Sequence, residues 1–365
     1  MKKQLTTLLV LASSLLLVAC QDVTDTATPP TVNQTQQQTP ATGELVRFTD
    51  IQLGLMDTLF QFIGYSDSQE NFNAQLAHVK AEMQRLHNLF TTFEEVPGVN
   101  NLWLVNQQAG IAPVVVDASI LTLVQAGIDA YHQTNGLTNI AMGSVIRMWH
   151  DQRNLAQDGG VPTVPLYADL RAAMDHVNIN DIIIDTQAST LFIDNPHMTL
   201  DVGAIAKGYA IERAVEIAES VGLHHFLISA GGDLRMLAGP PATGRWATGI
   251  QNPLSPDDGS IIDAVRGEHL SVVTSGTYQR YFEVDGIRFH HIIDPRTLFP
   301  ADQYMSLTII HDDSLMAEVL STVLYMLSPE ESQPILNALG GYAMWVTYDG
   351  AIVVSDGYSQ FSDNF

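Results

Sequence analysis

The sequence has few cysteines and few basic residues. Its 365 residues contain one cysteine, Cys20, which excludes an intramolecular disulfide and a cluster of thiolate metal ligands. Lys and Arg number 16 against 40 Asp and Glu, giving a net charge of −24. Nucleic acid is an unsuitable partner, because phosphate backbones are bound through clusters of Lys and Arg. An anionic ligand would need local help from backbone amides, helix N-termini or a metal.

The chain also lacks an apolar run of the roughly 20 residues that span a bilayer. A shorter run over residues 8–19 follows Lys2 and Lys3, which is the layout of a secretory signal. Its end, Leu17-Val18-Ala19-Cys20, resembles the lipobox of bacterial lipoproteins, whose cysteine is diacylated and becomes the mature N-terminus. We therefore expect a signal peptide over residues 1–19, lipidation of Cys20 and an extracytoplasmic protein anchored to a bacterial membrane. A single unmodified thiol is the alternative.

Large apolar residues are nearly absent between Cys20 and about residue 45, where Thr, Pro and Gln dominate. Such a segment cannot bury enough surface to fold, and we interpret residues 20–45 as a tether. Residues 46–365 exceed the usual size of a single core, which predicts one large two-lobed unit or two interleaved subdomains.

Hydrophobic periodicity within residues 46–365 indicates both helices and strands. Asp285-Gly286 and Asp349-Gly350 separate apolar runs and predict two hairpins. No internal repeat is present, so we predict an α+β fold of mixed helices and antiparallel sheet. Helices are expected over 72–90, 118–134, 201–222 and 314–327. Strands are expected over 182–184, 191–193, 226–229, 281–284, 287–293, 305–310, 345–348 and 352–354.

Residues 203–208, Gly-Ala-Ile-Ala-Lys-Gly, match neither a Walker A loop nor a G-x-G-x-x-G fingerprint. A glycine loop that opens a helix with Lys207 one turn inside is still a candidate anion site. A capped helix with a solvated lysine is the alternative. Gly231-Gly232-Asp233 indicates a tight turn that depends on the conformational freedom of glycine, and Trp149 is expected in the core.

Several segments, in order, resemble motifs of the FAD:protein FMN transferase family, also called the ApbE family. The resemblance covers residues 48–355 and implies an ApbE-like, T-fold-related architecture of two interleaved lobes. The matching segments are TNGLTNIAMG at 134–143 followed by Trp149, DVGAIAKGYA at 201–210 followed by Gly231-Gly232-Asp233, TSGTY at 274–278, HIIDPRT at 291–297 and AEVLST at 317–322.

The resemblance implies a reaction in which a threonine of a secreted or membrane flavoprotein attacks the FMN phosphorus of FAD, and AMP leaves. Mg²⁺ would neutralise the developing charge, held by the carbonyl of Ala204, the carboxylate of Glu318 and the hydroxyl of Thr322. His291 would accept the threonine proton, since the ordinary pKa of histidine lies near neutrality. Residues expected to line the FAD site are Met56, Phe93, Leu137, Thr138, Asn139, Asp201, Lys207 and Ile293.

Some positions depart from the family pattern. Asn139 and Glu318 stand where many members carry Asp, Phe93 where some carry Tyr, and Met56-Asp57-Thr58 where M-G-T is common. The acceptor pattern D-G-x-[ST]-G-A-T is absent from the chain, which predicts transfer to a separate protein.

Other interpretations of the sequence remain open. A magnesium-dependent FAD pyrophosphatase would use the same site with water as nucleophile, and a solute-binding lipoprotein would share the signal and the tether. His291 is equally compatible with a structural role at the end of a strand. A zinc site at His290 and His311 lacks further ligands at metal-binding spacing.

Overall fold

The structure, a computed structural model, describes residues 44–257, 259–278 and 280–365. The predicted signal peptide, Cys20 and nearly all of the predicted tether lie outside these residues. Within the part of the chain that the structure describes, no helix is both long enough and apolar enough to cross a membrane.

An eight-stranded sheet forms the centre of the fold, in the order β1-β2-β6-β7-β10-β13-β14-β15. Every neighbouring pair is antiparallel, and short turns join β1 to β2, β6 to β7 and β14 to β15. The strands are β1 (Val46–Leu55), β2 (Thr58–Ser66), β6 (Phe226–Ala230), β7 (Asp233–Met236), β10 (Ser271–Gly276), β13 (Tyr304–His311), β14 (Tyr342–Thr347) and β15 (Ile352–Val354).

Three helices cover one face of this sheet: α1 (Gln69–Phe90), α6 (Ala206–Ser220) and α7 (Ser314–Val323). Helix α1 begins at the Ser68 cap, whose side chain accepts a hydrogen bond from the Asn71 amide. Its apolar residues recur at helical spacing and are buried against the sheet and α6. Helix α6 lies between α1 and α7, so the glycine loop at its start faces α7.

The opposite face is covered by the hairpin of β8 (Trp246–Gln251) and β9 (Ile261–Gly267). Its buried side chains form a second core with inward residues of the large sheet and with Tyr358 near the C-terminus. Helix α8 (Pro329–Leu339) begins with a complete capping box between Ser328 and Glu331.

The chain leaves the large sheet after β2 and α1 and returns to it at β6. Besides α6, the intervening elements are α2 (Leu102–Gln107), β3 (Val114–Val115), α3 (Ala118–Gln133), α4 (Gly143–Gln157), α5 (Tyr167–Ala173), β4 (Ile182–Asp185) and β5 (Thr190–Ile193). The three strands of this group form a small antiparallel sheet.

A third core joins α4 to the hairpin of β11 (Tyr281–Val284) and β12 (Ile287–His290). Trp149 of α4 is 2% exposed and stacks on Phe289 at 5.7 Å between ring centroids. Its indole nitrogen donates to the Leu298 carbonyl at 3.1 Å. The expectation that Trp149 belongs to the core is confirmed, and this packing brings α4 beside His291.

The predicted α+β class with antiparallel sheet is confirmed, as are both Asp-Gly hairpins. The predicted helices agree with α1, α3 and α6 within a few residues, whereas α7 is shorter than predicted and continues as a 3-10 turn over Leu324–Met326. The hairpin of β1 and β2 and helix α4 were not predicted from the sequence.

Candidate active site

A buried ion cluster lies where α6, β7 and α7 meet. Lys207 Nζ contacts Asp233 Oδ2 and lies 2.9 Å from Glu318 Oε1. Asp233 is 4% exposed and Glu318 is 5% exposed, so two carboxylates share one lysine in a region of low dielectric. The cluster has an excess of negative charge, which a further cation would neutralise.

The two glycines before Asp233 form the expected tight turn. Gly231 and Gly232 have φ angles of 59° and 101°, in the region that glycine adopts without strain. A Cβ at Gly231 would also lie 2.2 Å from Thr58 Oγ1. The turn therefore needs glycine, and it directs Asp233 towards Lys207.

Glu318 also accepts a hydrogen bond from the first turn of α6. The Gly208 amide, one of the first-turn amides that have no acceptor within a helix, donates to Glu318 Oε2 at 2.6 Å. The regular helical pattern begins at Tyr209, which donates to Ile205. A Cβ at Gly208 would lie 2.5 Å from the Ser314 carbonyl oxygen, so glycine is what lets α6 and α7 approach so closely. Ala204 precedes the Ile205 cap, so its carbonyl is not committed to the hydrogen bonds of α6 and can serve as a ligand.

The predicted magnesium ligands Ala204, Glu318 and Thr322 stay a prediction, which the chemistry of their donor atoms supports. Thr322 follows Glu318 by one turn of α7 and is partly buried, so both side chains project from one face of the helix. Carboxylate, hydroxyl and carbonyl oxygens are hard donors, and Mg²⁺ usually keeps waters and substrate phosphates as its other ligands. Across residues 44–257, 259–278 and 280–365 there is no group of three or more His, Cys, Asp or Glu that could hold a metal, so a zinc centre has no support there.

Asp201 and Asn139 belong to two loops that are joined by backbone hydrogen bonds. The Asp201 amide donates to the Ile140 carbonyl at 2.8 Å, and Asp201 Oδ1 accepts from the Gly203 amide at 2.8 Å. Asn139 Oδ1 accepts from the Ala141 amide, and its Nδ2 donates to the Val177 carbonyl at 3.1 Å. This donation explains the departure from Asp at position 139, because a carboxylate could not donate to Val177.

The remaining residues predicted for the FAD site lie in varied surroundings. Met56 occupies the tip of the β1-β2 hairpin, where its amide donates to His87 Nδ1. Phe93 is 50% exposed, with the Arg147 guanidinium carbon 5.9 Å from its ring centroid, whereas Leu137 is partly buried against the main core. Thr138 is buried, and its hydroxyl has no hydrogen-bond partner among the described residues. The side chain of Ile293 belongs to the core around Trp149, so its backbone is the part suited to contact a ligand.

The two adjacent histidines differ in their partners. His290 Nε2 pairs with the Ala301 carbonyl at 2.5 Å and its Nδ1 accepts from the Ile292 amide, so His290 has the structural role. His291 Nδ1 is buried and has no hydrogen-bond partner among the described residues. Burial, with Arg280, His290 and Arg153 nearby, lowers the pKa of His291 well below its usual value. Burial therefore favours the neutral form of the His291 imidazole.

Four residues of this region were not identified from the sequence. Asp233 completes the ion cluster, and its position beside Lys207 depends on the pairing of β6 with β7. His150, Arg153 and Arg280 line one pocket together with His291. Arg280 directly follows the TSGTY segment, and His150 directly follows Trp149. Their proximity in the sequence to the family-like motifs is the signal that could have identified them as site residues.

Comparisons with known proteins identify a family and several relatives that this chain resembles. A sequence model of the ApbE family matches residues 56–346. A protein named FAD:protein FMN transferase from Klebsiella pneumoniae (strain 342) is 32% identical over 285 residues, covering 76% of this chain and 86% of the relative. A protein of the same name from Treponema pallidum (strain Nichols) is 31% identical over 301 residues, covering 77% and 81%. The crystal structure of the ApbE protein from Thermotoga maritima has a TM-score of 0.75 at 27% identity, covering 87% of this chain and 99% of that one.

Proposed function

The chain belongs to the ApbE family, and on that premise we propose that it transfers FMN from FAD to a threonine of another protein. The observation that carries the proposal is the ion cluster in the DVGAIAKGYA segment, where Lys207 pairs with Asp233 and Glu318. A solvated surface lysine would give no such arrangement. His291, with an unpartnered ring nitrogen, supplies a base in the same region.

In the proposed reaction the threonine oxygen forms a bond to the FMN phosphorus while the bond from that phosphorus to the bridging oxygen breaks. The hydroxyl proton passes to His291, and AMP leaves with the bridging oxygen. A neutral histidine suits this step, because a base must be unprotonated before it accepts a proton. The ion cluster fixes the start of α6, which follows Ala204 and the Ile205 cap, and Asp201 orders the loop before it.

We further propose that Mg²⁺ binds at Ala204, Glu318 and Thr322. When bound, the ion would withdraw charge from the pyrophosphate oxygens of FAD. Glu318 is one methylene longer than the aspartate of many relatives, and this extra reach lets it accept the Gly208 hydrogen bond while its second oxygen faces Lys207. A carboxylate has about four lone-pair sites, so these contacts leave capacity for a metal.

The test is incubation of the purified protein with FAD, Mg²⁺ and a flavoprotein carrying the acceptor pattern. Intact mass of the acceptor and AMP release are measured together. We expect an acceptor mass increased by one FMN group, with AMP in equal amount. AMP and free FMN with an unmodified acceptor would instead establish the pyrophosphatase, and an absence of FAD binding would favour the solute-binding protein. The enzyme itself is expected to keep no flavin after denaturation.

The proposed location is extracytoplasmic, with a lipid on Cys20 anchoring the protein to a membrane. This rests on the sequence alone, since Cys20 lies outside the described residues. Cys20→Ser should release the protein from washed membranes while transfer activity persists. Retention of the variant protein in the membrane fraction after a high-salt wash would rule out the anchor.

A further inference from the structure

A second ion pair joins the same three elements as the Lys207 cluster. Arg235 of β7 donates twice to Glu212 of α6, through Nε to Oε2 at 3.1 Å and through Nη2 to Oε1 at 3.0 Å. Glu212 Oε2 also accepts from the amide of Ser314, the first residue of α7, at 2.9 Å. Glu212, Arg235 and Ser314 together form a clasp. Because each of α6, β7 and α7 contributes one member, the clasp fixes the three elements relative to one another.

The clasp is largely buried, and its hydrogen bonds are directional. The side chains of Arg235 and Glu212 are 9% and 22% exposed, so water competes little for their charges. A planar guanidinium that meets a carboxylate through two parallel hydrogen bonds fixes both their distance and their orientation. Ser314 is fully buried, and its amide is one of the first-turn amides that have no acceptor within a helix. Glu212 supplies that acceptor and so ties the start of α7 to α6.

The clasp lies one short step along each element from the residues of the candidate site. On α7, Ser314 precedes Glu318 by four residues, which is about one helical turn, and Thr322 lies a further turn along. On β7, Arg235 follows Asp233 by two residues, so both side chains project from the same face of the strand. Since α7 is one continuous helix from Ser314 to Thr322, a shift of its first residue displaces Glu318 and Thr322 as well.

Helices α6 and α7 are in close contact beside the clasp. The Ser314 carbonyl oxygen would lie only 2.5 Å from a Cβ at Gly208, while the Ser314 amide is bound by Glu212. Residues of α6 thus meet both backbone polar groups of Ser314. The Gly208 amide donates in turn to Glu318 Oε2 at 2.6 Å, so the strength of this hydrogen bond reports how closely the two helices are held.

We propose that Glu212 and Arg235 are positioning residues for the metal site. By holding the start of α7, they set where Glu318 and Thr322 stand relative to the Ala204 carbonyl. The pair carries no net charge, so it acts through the placement of the ligands and leaves the charge of the acidic cluster unchanged. Residues that orient metal ligands typically change metal affinity or activity roughly 10- to 100-fold when they are replaced. The inference rests on the proposed function for the identity of the metal, whereas the placement of Glu318 is a property of the protein without metal.

The test removes the clasp without leaving an unpaired buried charge. In the clasp variant, Glu212→Met combined with Arg235→Met, both partners become apolar, which disturbs a fold far less than the loss of one partner alone. The matched control, Arg213→Met combined with Glu216→Met, removes an ion pair of the same helix whose side chains are 38% and 50% exposed. Hydrogen-deuterium exchange of the Gly208 amide is measured without metal. The half-maximal Mg²⁺ concentration and kcat of FMN transfer are measured with FAD and a flavoprotein carrying the acceptor pattern.

We expect exchange of the Gly208 amide in the clasp variant to quicken about tenfold or more, because its hydrogen bond to Glu318 is weakened. The half-maximal Mg²⁺ concentration should rise about tenfold or more. At saturating Mg²⁺, kcat should stay close to that of the wild type, because the bound ion draws its ligands together again. The control variant should match the wild type in all three measurements. Glu212→Asp, whose shorter carboxylate keeps its charge but does not reach both partners, should show the same changes to a smaller extent, and it decides the question if the clasp variant does not fold.

A Mg²⁺ requirement that rises in Glu318→Gln but not in the clasp variant would overturn the proposal. A lower kcat at saturating Mg²⁺ with an unchanged half-maximal concentration would also overturn it, since the clasp would then serve the fold alone. If neither variant alters the Mg²⁺ requirement, or if the wild type transfers no FMN, the proposed function is wrong in its metal or in its reaction. Exchange of the Gly208 amide then decides by itself whether the clasp positions Glu318, and exchange equal to that of the wild type would refute this.

Discussion

The two charged regions of the site are opposite in kind. Around Lys207, two buried carboxylates share one ammonium group, whereas around His291 two guanidinium groups and two imidazoles face a pocket with no paired carboxylate. The first region is suited to a divalent cation, and the second contains the proposed base. A phosphoryl transfer needs both, because the charge on a pyrophosphate must be neutralised while a base accepts the proton of the nucleophile. The local distribution of charge therefore indicates the chemical role of each region, whereas the net charge of −24 does not.

The largest expected effect comes from removing the carboxylate charge of the acidic region. Glu318→Gln should preserve the fold, because its amide oxygen can still accept the Gly208 hydrogen bond. Transfer at limiting Mg²⁺ should fall roughly 100-fold or more, equivalent to roughly 3 kcal/mol. Glu318→Asp should retain partial activity, and Glu219→Gln on the exposed face of α6 is the matched control. Equal rates for Glu318→Gln and wild type would show that this carboxylate is not a ligand.

Removing the cation of the same region should affect stability. Lys207→Met leaves Asp233 and Glu318 buried without their shared partner, and we expect a loss of about 3 kcal/mol in the free energy of unfolding. Mg²⁺ should restore part of the lost free energy of unfolding by neutralising the unpaired carboxylates. Urea denaturation with and without the metal measures both. Lys80→Met provides the comparison, because the Lys80 pair with Asp50 is about one third exposed and is worth at most about 1 kcal/mol. Similar losses in the two variants would contradict a buried cluster.

The cationic region should be visible in the pH dependence. Because the pKa of His291 is lowered in the folded protein, the base stays neutral below the ordinary histidine value of about 6.5. In the pH profile of kcat/KM, the decrease on the acid side (the acid limb) is therefore expected below that pH. For stability, the contribution of this neutral histidine is complete above about pH 6.5 and declines as the pH falls below it, since the unfolded chain then binds a proton that the folded chain does not. An acid limb at or above pH 6.5 that His291→Gln leaves in place would exclude His291 as its source.

The smallest effect should come from Asn139, which lies in the loop bonded to Asp201. Asn139→Asp restores the residue common in the family but loses the donation to the Val177 carbonyl. The free energy of unfolding should fall by about 1 kcal/mol, with FAD binding nearly unchanged, as measured by thermal unfolding and titration. A more stable Asn139→Asp protein would show that the hydrogen bond to Val177 does not explain the departure.

Sequence patterns predicted the elements whose signals are local. Helix α1 shows a regular apolar repeat and a serine cap, and the Asp-Gly turns specify both hairpins. Helix α4 has no side-chain cap, and its apolar side chains contact residues that are distant in the sequence. The exposed Ile51 and Leu53 of β1 obscure the alternation that identifies a strand. These elements are fixed by tertiary packing, which a local pattern does not encode.

The candidate site divides in the same way. The ApbE-like motifs identified Lys207, Glu318 and His291 as individual positions. The pairing of Lys207 with Asp233 depends on strand order, and the pocket of Arg153 and Arg280 exists because Trp149 packs α4 against the β11-β12 hairpin. Charge clusters assembled from separate elements need the folded chain, since Arg153 and Arg280 are 127 residues apart in sequence and Lys207 and Glu318 are 111 apart.

The most direct measurement of the central claim is an experimental structure of the protein with FAD and Mg²⁺. The account predicts a pyrophosphate beside the Lys207 cluster, with the metal on Glu318, Thr322 and the Ala204 carbonyl and with the FMN phosphorus on the side that faces His291. A dinucleotide whose phosphates lie away from the cluster, or a metal that contacts neither Glu318 nor Thr322, would contradict it.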